Sequence, residues 1–210
     1  MIAINTIKNV IKKVSWGVMT FLAILMFLIA SPYLALNSEF YFPQQKLIYI
    51  AHTTGIITHV ACAMIAVVIG PFLFLPKTVT HKYINVHRWL GRIYLFGVLF
   101  GGISGLYMST LAYGGPISKV GFATLAIFWI LSGYFGYTNI RKKKILKHRF
   151  WMIRCYSLTF AAITLRLWLA GLQIWGTEFL DAYRTVAWLC WIPNLAIAEC
   201  LVYLVKKNNF

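Results

Sequence analysis

The sequence predicts an all-α polytopic membrane helical bundle of six transmembrane helices, with N- and C-termini cytoplasmic, and three observations carry that expectation. Hydrophobic residues make up 60% of the chain and charged ones 11%, whereas about a quarter of residues are charged in soluble domains. Apolar runs recur along its whole length, each longer than the ~18 residues that cross a hydrocarbon core about 30 Å thick. Lys and Arg gather on alternate connections between those runs, as they do when loop charge fixes orientation in a bilayer.

The first run, 16–36, follows Lys8, Lys12 and Lys13 and so has the outline of a secretory signal. Its length exceeds the roughly 7–15 apolar residues of such signals, which predicts a retained helix. The second run, 49–76, carries His52 and His59 seven residues apart, hence on one helical face that continues through Gly55, Cys62, Ala63, Ala66 and Gly70. His59 lies about ten residues into the run, or roughly 15 Å deep. The third, 89–113, holds Gly97, Gly101 and Gly105 at GxxxGxxxG spacing. That stripe is a helix-packing seam or, on a sharper reading, room for a flat cofactor.

The fourth run, 118–139, contains no histidine. The fifth, 150–175, continues a polar line that starts at His148 and passes Met152, Cys155, Thr159, Ala162, Arg166 and Gln173 at helical spacing. Such a line looks into the bundle, with Arg166 roughly 27 Å from His148 along the axis. The sixth, 186–205, carries Glu199 at about the depth of Arg154, and a structural ion pair is the expected fate of those two. Connections of at most roughly a dozen residues make neighbours antiparallel and the chain a single integral membrane domain, 1–210.

Charge sets the orientation. The formal net charge is +16, which in a soluble protein would suggest nucleic acid, but here no nucleic-acid partner is expected. The inner side receives sixteen basic residues: Lys8, Lys12, Lys13, Lys77, Lys82, Arg88, Arg92, Arg141 to Lys144, Lys147, Arg149, Arg154, Lys206 and Lys207. The outer side receives three, Lys46, Lys119 and Arg184. The expected location is a bacterial inner (plasma) membrane, multi-pass, with the lipid bilayer as the first partner.

Two spans of parallel orientation open alike, His87-Arg88-Trp89-Leu90-Gly91-Arg92-Ile93-Tyr94 and His148-Arg149-Phe150-Trp151-Met152-Ile153-Arg154-Cys155-Tyr156. Facing histidines from separate helices give neutral imidazole nitrogens to the axial positions of a haem iron, and adjacent cations neutralise its propionates. His87 and His148 are the candidate metal ligands, with Arg88, Arg92 and Arg149 as cofactor-binding residues for one haem b. His81, in a loop, reads as a boundary residue. Cys62, Cys155, Cys190 and Cys200 show no paired spacing. No nucleophile elbow, HExxH motif or phosphate-binding glycine loop is present, so soluble hydrolase chemistry is not expected.

The segments HRWLGRIY at 87–94, HRFWMIRCYSLTFAAITLRLWL at 148–169 and WLCWIPNLAIAE at 188–199 resemble the bacterial membrane family called domain of unknown function 2306. The resemblance runs through nearly all of the chain after the first span and implies no particular activity. A more distant likeness is to membrane haem proteins of the cytochrome b and ferric reductase type. It implies a four-helix core made by spans two to five, with His87 and His148 matching a ligand pair. Because the fourth span has no histidine, that likeness implies one haem rather than two.

Three functions follow as expectations. The leading one is electron transfer through one b-type haem near the cytoplasmic face, to or from a quinone or a redox partner protein. The second is a transporter or channel for a small anion or proton, using His52, His59, Arg166 and Glu199. The third is a structural or assembly partner of a membrane complex. Nothing in the pattern sets an oligomeric state.

Overall fold

The computed structural model describes residues 2–75, 80 and 82–207, with side chains in the first helix given at Val10 and from Lys13 onward. Lys77 and His81 lie outside the described residues, as do the side chains of Lys8 and Lys12. The described residues form helices and short turns, with no strand among them. Six stretches are long and apolar enough to cross a membrane: Lys13–Ala35, Thr53–Leu73, Ile84–Ser109, Pro116–Arg141, Ile145–Ile174 and Phe179–Lys207.

The helices are α1 (Ile2–Ala30), α2 (Lys46–Ala51), α3 (Thr53–Leu73), α4 (Ile84–Ser109), α5 (Pro116–Arg141), α6 (Ile145–Thr159), α7 (Ala161–Ile174), α8 (Phe179–Leu189) and α9 (Ile192–Lys207). All six runs read from the sequence are present, with shifted ends. The third starts at Ile84, so His87, Arg88 and Arg92 sit within α4, and the sixth starts as early as Phe179. Amphipathic first turns, which hydropathy alone clips away, account for both shifts.

The last two spans are broken helices. Pro193 has no amide hydrogen and its ring crowds the carbonyl four residues back, at Leu189, which is where α8 ends. Between α6 and α7 the chain turns at Phe160. In lipid the carbonyls near a break need donors, and side chains bridge the two breaks: Asn194 Nδ2 donates to Ser157 O at 3.2 Å, at the end of α6. Thr164 Oγ1 donates to Cys190 O at 2.6 Å, and Asn194 Nδ2 donates to Cys190 O at 2.9 Å and to Thr164 Oγ1 at 3.0 Å. Pro71 opens a comparable gap inside α3, where the Val67 carbonyl four residues earlier accepts from Tyr156 OH at 3.3 Å.

The glycine stripe is a packing seam between α3 and α4. A Cβ on Gly97 would stand 2.8 Å from Cys62 O, and one on Gly105 would stand 2.7 Å from His59 Nδ1. One end of the bundle is basic, with Arg141 and Lys142 to Lys144 exposed between α5 and α6. The other is aromatic: the turns Ser31–Ala35, Ser38–Phe40 and Pro43–Gln45 fold back over the helix ends. There Phe42 meets Phe179 at 5.4 Å and Tyr183 at 5.9 Å, while Tyr113 meets Tyr183 at 5.8 Å.

Candidate functional site

Beneath that aromatic end lies a cavity of about 480 Å³, walled by α1, α3, α4, α5, α7 and α8. Its roof is Tyr33, Phe42, Gln45 and Tyr49. Gln45 is 3% exposed and orders the roof, its Oε1 accepting from Tyr49 OH and Tyr183 OH, each at 3.2 Å, while its Nε2 donates to Leu111 O at 3.1 Å. Tyr33 is fixed by accepting the Phe42 amide at 3.1 Å. The floor is Trp129 and Thr159. There Thr159 Oγ1 donates to Cys155 O at 3.0 Å and accepts from Trp129 Nε1 and Tyr94 OH, each at 2.8 Å.

Arg166 lines this cavity from α7. Its guanidinium donates once, from NH1 to Ala162 O at 2.7 Å. Five N–H groups are available in that fork, so most of its capacity is left for the cavity. Among the described residues no carboxylate pairs with it: Glu199 holds Arg154, Asp181 holds Arg184, and neither Glu39 nor Glu178 reaches the lining. Tyr33, Tyr49 and Tyr183 lie within electrostatic range of it, and a phenol brings no negative charge at neutral pH.

His59 enters from α3, its ring lodged against Gly105. Its Nδ1 lies 2.8 Å from Gly101 O. A carbonyl only accepts, so Nδ1 carries the proton, and the neutral ring turns out Nε2 as an acceptor. The cavity therefore holds one charged donor group and one imidazole acceptor, beside the hydroxyls of Tyr33, Tyr49, Ser109, Thr159 and Tyr183.

The other residues singled out in the sequence fall elsewhere. His52 sits at the break between α2 and α3, its Nδ1 2.7 Å from Tyr107 OH, away from the lining. Glu199 accepts from Arg154 at 2.5 and 2.7 Å, the expected ion pair, on the outer side of α6 and α9 with Arg154 stacked 4.8 Å over Trp151. Of His52, His59, Arg166 and Glu199, expected to share one polar path, His59 and Arg166 line this cavity and the other two do not. Helix packing against α4 and α9 takes the other two out of line.

His87 and His148 do come close enough to interact electrostatically. His148 Nδ1 donates to Gly136 O at 2.8 Å, which leaves Nε2 free, and the buried His87 Nδ1 has no hydrogen-bond partner among the described residues. Arg88, Arg92 and Arg149 are exposed instead of converging on that pair, and Arg92 stacks 5.1 Å over Trp89. Among the described residues no cluster of three or more His, Cys, Asp or Glu is placed to hold a metal, and all four cysteines are free.

Sequence reasoning missed Tyr33, Gln45, Tyr49, Trp129 and Tyr183. A signal was present for the roof: Tyr33, Phe40, Tyr41, Phe42 and Tyr49 make the first connection far more aromatic than a solvated linker.

Among curated proteins and among solved structures none matches the chain, and the likeness to membrane haem proteins finds no support there. Residues 56–202 match the family model described as predicted membrane protein (DUF2306), a stretch running from the second span to the sixth that contains His59 and Arg166, and the chain belongs to that family.

Proposed function

We propose that this protein is a carrier for a small organic anion, which it binds in the cavity between Arg166 and His59. The observation that carries this reading is the guanidinium of Arg166, lining an intramembrane cavity with no carboxylate beside it. A cation at the bilayer centre costs about 2.5–3.5 kcal/mol even on the mildest scale, and one buried in the outer half bears part of that cost. A ligand that brings the missing negative charge recovers part of that cost and is thereby selected. The aromatic end faces outward in this reading and the basic end faces the cytoplasm, with both termini, which places the cavity in the outer half of a bacterial inner membrane.

Passage to the inner side is blocked by the Trp129, Thr159 and Tyr94 knot, so transfer requires the bundle to rearrange, in the manner of alternating access. The breaks at Phe160 and before Pro193 are where two spans can bend. The test is uptake of radiolabelled benzoate into proteoliposomes. Wild type should accumulate label above empty vesicles, and Arg166→Ala should reduce uptake at least about tenfold while the remote Arg92→Ala does not. Uptake unaffected by Arg166→Ala overturns the reading.

A second reading, electron transfer through one haem b near the cytoplasmic face, rests on the His87 and His148 pair. Two imidazoles with nitrogens uncommitted to the protein fit the donor chemistry of axial ligands, and they are the residues that would hold the iron. The exposed Arg88, Arg92 and Arg149 do not fit as propionate partners in this packing. When bound, the haem would supply one-electron transfer, with a quinone or redox protein as partner. Oxidised and reduced absorbance spectra decide it: a Soret band lost in both His87→Ala and His148→Ala supports this reading, and a colourless wild type purified from haem-replete cells removes it.

A further inference from the structure

We propose that the anion bound at Arg166 is an aromatic hydroxy acid, a flat ring with a carboxylate at one end and a hydroxyl at another; this rests on the reading of Arg166 as an anion site. Four features of the cavity specify it. Arg166 is the one residue of the lining with a permanent charge, so the ligand carries a single negative charge and an otherwise neutral body. A planar carboxylate matches the guanidinium fork.

His59 supplies the second feature. Its Nδ1 is committed to Gly101 O, so the neutral ring offers Nε2 as an acceptor within the same cavity. His59 is not among the described residues with a buried, partnerless polar atom, so Nε2 is taken to open on the cavity that its ring lines, where a ligand donor can reach it. A ligand hydroxyl is such a donor. Benzoic acid alone would leave Nε2 unmatched, and an aliphatic carboxylate would match only Arg166.

The third feature is the shape of the walls. The Trp129 ring lies against Gly101, where a Cβ would stand 3.2 Å from Cη2, and Phe122, Tyr33 and Tyr49 add further rings. The small residues Gly101 and Gly105 seat the Trp129 and His59 rings in the wall, and aromatic ligands pack on such rings in offset or edge-to-face contact. The fourth is size. A dry cavity of about 150 Å³ admits benzene, and about 480 Å³ takes a substituted ring with room for a second.

The test is equilibrium binding by the full-length protein in nanodiscs, at neutral pH, to radiolabelled benzoate, 3- and 4-hydroxybenzoate, 4-methoxybenzoate and cyclohexanecarboxylate. The better hydroxybenzoate should bind about five- to tenfold more tightly than benzoate, the net worth of one added hydrogen bond. The methoxy compound, an acceptor without a donor, should gain nothing over benzoate, and the cyclohexane acid should bind more weakly still. His59→Phe should abolish the hydroxyl preference yet keep benzoate binding, whereas Arg166→Ala should weaken every acid. Equal, Arg166-dependent binding of benzoate and both hydroxybenzoates overturns the hydroxy-acid assignment and leaves the anion site standing. Binding of no acid, or acid binding indifferent to Arg166, overturns both. Because the methoxy and cyclohexane comparisons use unaltered protein, the assignment is decided even if His59→Phe misfolds.

Discussion

Arg166 and His59 differ in what they ask of their surroundings. His59 is half satisfied by Gly101 O, so the empty protein loses little by holding it. Arg166 has a single carbonyl and three phenols around it, and no described carboxylate offsets its charge. Arg166→Met should therefore raise the stability of the ligand-free protein by about 1–3 kcal/mol, read as a higher midpoint in thermal unfolding in detergent, while acid binding disappears. A lower midpoint would mean that the guanidinium is a structural strut. At this scale the sequence was legible wherever two groups shared a depth, as Arg154 and Glu199 do. It was opaque at Tyr49 and Tyr183, which are brought to one Gln45 oxygen across most of the chain's length.

Helices set how precisely those residues are held. The α3 and α4 backbones approach through Gly97 and Gly105, and the notch at Gly105 is what seats the His59 ring. Gly105→Ala should push the imidazole off Gly101 O and cost about 1–3 kcal/mol from overpacking. Benzoate binding should survive and the hydroxyl preference should fall, which the same binding series measures. Hydropathy located all six spans because length and apolarity decide what crosses a bilayer. It did not find the interruption at Phe160, since no proline or glycine marks it and the turn is fixed by tertiary bonds at Thr164. Pro193 marks the other break, but reading the run 186–205 by hydropathy alone passes over it as well.

The whole molecule is a bundle with one basic and one aromatic end, and that asymmetry was readable from Lys and Arg placement alone. In inverted or right-side-out vesicles from a cysteine-free background, Ser38→Cys should react with an impermeant maleimide from the outside and Lys142→Cys only from the inside. The reverse pattern would invert the proposed orientation. The cavity was not readable, because a void is produced by many side chains failing to meet, and here also by a connection that folds back over helix ends where a linear reading leaves a loop.

That connection lies outside the stretch that the family model matches. The family match begins at Ile56, so it takes in the walls bearing His59, Trp129 and Arg166 but none of Tyr33, Gln45 or Tyr49. In the proposed carrier the anchor for a ligand's charge, Arg166, lies within the matched stretch, and the doorway, the roof of Tyr33, Gln45 and Tyr49, lies outside it. Members with the same anchor and a different doorway would recognise the same headgroup on differently shaped molecules, and residues 31–52 are the segment to exchange in order to retune which ones.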